Sequence, residues 1–143
     1  MQANYKPSNP KDSIGITKAP LSTIPTPVLY EVGIAMMEGA LKYRRHNYRE
    51  AGVRASVYYD AAQRHLNSWW ENEDIDPASG INHISKAIAG LMVLRDAIMN
   101  DKFTDDRPPV VKNKQWMEDM NKITKELLEK YPNPQEPHTK GIK

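Results

Sequence analysis

The chain is predicted to be an all-α helical bundle with an extended N-terminal arm and a C-terminal amphipathic helix. Three observations lead there. Apolar residues recur at three- and four-residue spacing in separate segments, prolines gather at the two ends and at breaks between segments, and the segment after residue 80 is apolar almost all round, as expected of a buried central helix.

Residues 1–27 hold five of the eleven prolines, with Asn9-Pro10, Gly15, Lys11, Asp12 and Lys18, so residues 1–26 read as an extended arm. Thr26-Pro27 is a helix start, with Thr26 as N-cap and Pro27 at the first helical position. Val28, Leu29, Val32, Ala35, Met36, Ala40 and Leu41 then carry the helix to about Tyr43. Residues 44–54 form a polar loop with four arginines and one acid. A second helix spans about 55–74, with Asp60, Arg64, Asn67, Glu71 and Asp74 within about 40° of one line and Tyr59, Ala62, Leu66, Trp69 and Trp70 elsewhere. His65 lies off both faces, where a hydrogen-bonded structural role competes with substrate contact. The central helix runs from Ile81 to about Met99 and holds His83 and Lys86 three apart.

Asp105-Asp106-Arg107-Pro108-Pro109 breaks the chain. Beyond it Trp116, Met117, Met120, Ile123, Leu127 and Tyr131 give a helix with one narrow apolar stripe, suited to its own core or to a second subunit. The expected organisation is one helical domain over residues 1–131 and a disordered tail over 132–143, where three prolines fall.

The densest chemistry is Trp69-Trp70-Glu71-Asn72-Glu73-Asp74-Ile75-Asp76, with four carboxylates in six positions and His83 following. Close carboxylates repel by roughly 1 kcal/mol per pair even at water-like dielectric, so the cluster needs a cation or full solvation. Hard oxygen ligands favour Mg²⁺ or Mn²⁺. A solvated acidic turn that caps the next helix is the competing explanation. The basic loop tilts the balance: arginine forks bind phosphate oxygens while a carboxylate-held metal takes others, so the two together suit a polyphosphate.

A length of 143 residues supports one core, and 39% hydrophobic with 27% charged residues is ordinary for a globular chain. The net charge of +2 argues little for nucleic acid. With no cysteine, disulfides, thiolate metal ligands and thiol catalysis are excluded. Nothing approaches a membrane span or a signal peptide, so the expectation is a soluble, cytoplasmic protein.

At Glu38-Gly39-Ala40-Leu41-Lys42-Tyr43, Asn47-Tyr48, Arg54-Ala55-Ser56, Arg64-His65 and Trp69 through Gly80, the chain resembles the bacteriophage dATP/dGTP diphosphohydrolases of the MazG-like superfamily. Within these it is similar to the MazZ group, which serves phage pathways that place 2-aminoadenine in DNA. The resemblance covers roughly residues 9–108. It implies an all-α nucleotide pyrophosphohydrolase fold of MazG-like type, Mg²⁺ or Mn²⁺ dependence with two or more ions, and cleavage of dGTP or dATP to the monophosphate and pyrophosphate. The wider superfamily carries Glu-x-x-Glu on one helix and Glu-x-x-Asp on the next. Here Glu71 and Asp74 fit the first spacing with an Asp, and His83 and Lys86 stand where the second pair is sought.

The expected site follows. Glu71 and Asp74 are the catalytic metal ligands, joined by Glu38, Asp76, Glu73 and Asp60. Lys42, Arg54, Lys86 and some of Arg44, Arg45 and Arg49 grip phosphate. Tyr43, Asn47, Tyr48, Arg64, His65, Trp69 and His83 are further substrate contacts. A homodimer or homotetramer is expected, with no membrane partner. The alternative function is a helical DNA-binding or assembly module without catalysis, whose affinity would fall steeply with salt and need no divalent ion.

Overall fold

The computed structural model describes residues 9–141; the first eight residues of the arm and the last two of the tail lie outside the described residues. The chain divides into two compact units, Met1–Arg107 and Pro108–Lys143. The architecture is helical, as the periodicity predicts, with two minimal strand pairings added.

The arm departs from the extended reading. Asn9 caps a short helix α1 (Pro10–Gly15) by accepting the Lys11 N–H at 3.0 Å, and a 3₁₀ turn follows at Leu21–Thr23. Asn-Pro is a helix start when one turn of chain can follow it. Helix α2 (Thr26–Tyr43) has Pro25 rather than Thr26 in the cap position, a one-residue difference, and Thr26 makes no side-chain cap. The expected basic loop contains a single-turn helix α3 (Asn47–Glu50) and a two-residue strand β1 (Val53–Arg54).

Helix α4 (Ala55–Trp70) ends four residues before the expected Asp74. Asn72 takes φ 75°, a left-handed conformation that Asn tolerates better than most residues and that stops a helix. Glu71 and Asp74 therefore leave the helical line of Asp60, Arg64 and Asn67. The chain instead makes a hairpin, β2 (Ile75–Asp76) against β3 (Ile81–Asn82), with Asp76 paired to Ile81. Gly80, at φ 74°, closes the turn. Asn82 then caps α5 (His83–Met99) by accepting the Ile84 N–H at 2.8 Å.

Helix α5 is central, packing on both α2 and α4. Small residues make this possible: Ala87, Ala89 and Ala97 of α5 and Ala55 and Ala62 of α4 are buried, so the backbones approach closely. The core around Val32, Ala35, Ile81 and Ala89, with Met36 and Ile88 against it, is correspondingly thin.

A latch joins the two ends of the α4–α5 hairpin. Strand β1 runs parallel to β4 (Phe103–Thr104), with Val53 opposite Phe103. Asp106 caps α4 from across this pairing: it accepts the Ser56 N–H at 2.8 Å and the Ser56 hydroxyl, and Arg54 lies 3.9 Å away. Those bonds, above all the one from the Ser56 hydroxyl, hold the Asp106 carboxyl below its ordinary value. Gly52 enters the latch at φ 78°, and a Cβ there would stand 2.7 Å from the Lys102 carbonyl oxygen. That oxygen accepts the Val53 N–H and cannot retreat without breaking the bond. Gly52→Ala is expected to destabilise the fold by at least about 1 kcal/mol, read as a lower urea midpoint at unchanged slope.

In the second unit, helix α6 (Trp116–Lys130) carries Glu118 and Asp119 in its first turn and Lys130 in its last, each sign suited to the helix dipole. Asn113 braces its start by donating to Asp119 at 2.7 Å. Trp116, Met120, Ile123 and Leu127 are all exposed along one side. Residues 132–141 carry no helix or strand. Among the described residues, no helix is long and apolar enough to cross a membrane.

Candidate active site

The hairpin turns Glu73, Asp76 and Ser79 back against the first turn of α5, and this contact builds the site. His83, the first residue of α5, is buried. Its Nε2 lies 2.7 Å from Glu73 Oε1 and its Nδ1 lies 2.8 Å from His65 Nδ1 of α4. A carboxylate only accepts, so Nε2 of His83 carries a proton, and a single hydrogen bond joins its Nδ1 to His65 Nδ1. The Asp74 carbonyl accepts the His83 backbone N–H at 2.9 Å, fixing where the helix begins. Burial, the nearby Lys86 charge and His83 push the His65 pKa down, so its ring is neutral at pH 7.

One turn along α5, Lys86 reaches Asp76 Oδ2 at 2.9 Å, Ser79 Oγ at 3.1 Å and Glu38 Oε1 of α2 at 3.2 Å. Its side chain is 12% exposed, and those of Asp76 and Glu38 are 15% and 23%. Burial opposes the Lys86 charge, but the hydrogen bonds it donates to two carboxylates outweigh it and raise the pKa. Asp76 is lowered by Lys86 and by the Ala78 N–H, which it accepts at 2.9 Å. Lys86 is thus an anchored cation rather than a snorkelling one.

His65, Asp76 and His83 are, among the described residues, the one group of three whose nitrogen and oxygen donors lie within 4.8 Å of one another. The donor set fits a divalent ion. Two adjacent ligands on an octahedral ion stand roughly 3 Å apart, close to the separation of the two histidine nitrogens. Glu73 behind His83 supplies the outer carboxylate that such ligands usually have. Ligation through both Nδ1 atoms would require the proton between the two rings to leave. Two imidazoles beside one carboxylate suit Mn²⁺ better than Mg²⁺, whose preference is for oxygen.

A cleft of about 340 Å³ is lined by Glu38 and Lys86, and the Lys86 bond to Asp76 connects it to this cluster. Gly33, Met36, Met37, Ala89, Gly90 and Val93 form its apolar part, and Tyr43, Arg44, Arg45, His46, Asn47, Tyr48 and Tyr58 its polar rim. Arg44 and His46 hold φ of 85° and 65°. Such conformations cost about 1–3 kcal/mol each in residues other than glycine and cluster where strain serves a site. Arg49 pins this rim to α5 through a two-pronged bond to Asp96, at 2.9 and 3.0 Å.

The residues singled out in the sequence divide accordingly. Glu38, Tyr43, Asn47, Tyr48 and Lys86 line the cleft; His65, Glu73, Asp76 and His83 form the adjoining cluster; Lys42 pairs with Glu38 at 3.6 Å. Glu71, Asp74, Asp60, Arg64 and Trp69 are exposed and join neither group, and Arg54 serves the latch. Ser79 and Tyr58 are site residues that the pattern did not flag. Ser85, which donates to Glu31 at 2.6 Å and fastens α5 to α2, is another structural contact without a sequence signal.

The family described as dATP/dGTP diphosphohydrolase, N-terminal, matches residues 8–107. A dATP/dGTP diphosphohydrolase of Salmonella phage PMBT28 is 33% identical over 90 residues, which are 63% of this chain and 30% of that protein. The chain therefore aligns with less than a third of this curated relative's length. No solved structure matches it. The family match contains the whole cluster and cleft and ends where the second unit begins. The chain belongs to the family of dATP/dGTP diphosphohydrolase N-terminal domains.

Proposed function

We propose that the chain is a metal-dependent pyrophosphohydrolase that converts dGTP and dATP to the monophosphate and pyrophosphate. The observation that carries this proposal is the cleft itself, in which Arg44, Arg45 and Lys86 meet tyrosines and an asparagine beside the His65–Asp76–His83 group. A nucleoside triphosphate asks for that combination of cations with flat faces and an amide.

The roles follow from position. Arg44 and Arg45 have no carboxylate partner among the described residues and are free to take the β- and γ-phosphates. Lys86, already charged and fixed by Asp76 and Glu38, adds a point charge where the triphosphate would meet the cluster. Tyr43 and Tyr48 offer stacking faces, and Asn47 a donor and acceptor for a base edge. His65, Asp76 and His83 would hold the metal, with Glu73 orienting His83 and Glu38 joined to Asp76 through Lys86. Two or more divalent ions, Mn²⁺ or Mg²⁺, would supply there neutralisation of phosphate charge and activation of water toward the α-phosphorus. In this proposal the protein acts in the cytoplasm of an infected bacterium, supplying a 2-aminoadenine nucleotide pathway.

The test is incubation with a panel of dNTPs and Mn²⁺ or Mg²⁺, with products separated by ion exchange. dGTP and dATP are expected to give the monophosphate and pyrophosphate, with turnover lost on chelation. Release of inorganic triphosphate or orthophosphate, or turnover that survives chelation, would overturn the assignment.

A further inference from the structure

The rim of the cleft hangs by one side-chain tie. Between the end of α2 and the latch, the chain from Arg44 to Ala51 is held internally by backbone bonds: the Asn47 N–H donates to the Arg44 carbonyl at 3.2 Å, that of Arg49 to His46 at 3.0 Å and that of Ala51 to Asn47 at 2.8 Å. Helix α3, at the centre of this stretch, has four residues, none of them buried, and no side-chain cap. A helix that short does not hold itself in water. Arg44 and His46 add left-handed backbone, which persists only where the surroundings impose it. Among the described residues, the one hydrogen-bonded or ion-paired side chain leading from this stretch to another element is Arg49, whose Nε and Nη2 donate to Asp96 of α5 at 3.0 and 2.9 Å.

Arg49 also stands apart from its neighbours. The five residues before it line the cleft and it does not, so the phosphate contact expected of it from the sequence gives way to a carboxylate contact. Asp96 lies one turn beyond Val93 of the cleft wall, and the bond therefore ties the rim to the helix that forms the wall. Two-pronged geometry fixes orientation as well as distance. The bond keeps both groups charged, pushing the Asp96 pKa down and the Arg49 pKa up.

We propose that Arg49 and Asp96 are positioning residues for the nucleotide: by clamping α3 to α5 they hold Asn47 and Tyr48 at the mouth of the cleft, ready for the base, without touching it themselves. The occupant rests on the nucleotide reading above, whereas the clamp is a property of the free protein. Stability is not what the pair supplies. Both side chains meet solvent, at 60 and 26% exposure, and exposed ion pairs contribute little to folding. What the pair supplies is a rim already in place, because a ligand meeting a mobile rim binds only the ordered fraction and its apparent affinity falls accordingly. The cluster of His65, Asp76 and His83 is built by α4, the hairpin and α5, so the chemistry there is less affected.

Arg49→Ala and Asp96→Ala are each expected to raise KM for dGTP about tenfold, with kcat within about threefold of the parent and the thermal midpoint barely moved. The double variant is expected to be no worse than either single one, since each alone already opens the clamp. Asp96→Ala separates the clamp from a direct phosphate contact: it frees an arginine that grips phosphate rather than removing it, so an unchanged or lower KM in that variant would overturn the proposal. So would losses that add in the double variant. Hydrogen exchange in the nucleotide-free protein keeps the clamp distinct from the catalytic reading. The amides of Asn47, Arg49 and Ala51 are expected to exchange about tenfold faster in both single variants, while those at the centre of α5 keep the parent rate. If exchange responds but the parent hydrolyses no dNTP, the nucleotide reading fails and the clamp stands; if exchange does not respond, the clamp fails whatever the turnover.

Discussion

Replacing Asp76 by Asn is expected to lower turnover of dGTP and dATP by at least about 100-fold while the protein stays folded. Asp76 is the one carboxylate in the group of three donors, and its charge also holds Lys86. Asn keeps the volume and one oxygen, so the Ala78 N–H that fixes the turn retains its acceptor. What is lost is the negative charge that an ion would meet. The measurement is kcat at saturating Mn²⁺, beside calorimetric titration of the metal and a thermal melt. Asp74→Asn makes the comparison informative. The Asp74 carboxylate is exposed and its carbonyl does the local work, so turnover is expected to stay close to the parent value. If Asp74→Asn abolishes turnover and Asp76→Asn spares it, the ions sit on the exposed acids instead.

Lys86→Met is expected to cost roughly 3 kcal/mol of stability, because it leaves Glu38 and Asp76 facing one another with little solvent and no cation between them. Methionine keeps the length and apolar bulk of the stem, so the loss is assigned to charge rather than to packing. Adding Glu38→Gln to the variant is expected to recover part of it, since only one of the two acids then lacks a partner, and urea unfolding of the four proteins gives the coupling directly. A loss within error of zero for Lys86→Met would mean that the carboxylates are adequately hydrated without it. Catalysis is expected to fall as well, and the double variant is not expected to restore it, because the phosphate contact remains absent.

The helices were legible because apolar periodicity survives whatever the chain packs against. The bounds of α2, α5 and α6 lie within about two residues of where spacing and prolines put them. The site was legible in composition more than in arrangement. The acids from Glu71 to Asp76 look like one cluster when α4 is extended through Asp74. Asn72 ends that extension with a left-handed turn, a stop for which asparagine is a weaker signal than glycine. The hairpin then distributes the acids: Glu73 to a histidine, Asp76 to a lysine, Glu71 and Asp74 to solvent. His65 and His83 are eighteen residues apart and meet only because α4 and α5 pack through alanines. Arg44 and His46 are likewise unreadable, since non-glycine residues at positive φ are imposed by tertiary context.

The latch between Val53 and Phe103 has a consequence for the chain as a piece of engineering. Paired strands stand about 4.8 Å apart, so the segment from Val53 to Thr104 begins and ends at nearly the same point in space. Between those ends lie α4, the hairpin and α5, and with them His65, Glu73, Asp76, His83 and Lys86. Such a segment has the geometry of a cassette: grafted into a surface loop of an unrelated host, it would enter and leave through a gap one strand wide. Glu38, the two rim arginines and the α2 side of the cleft would stay behind, so the graft would carry the three clustered donors with only part of the adjoining cleft.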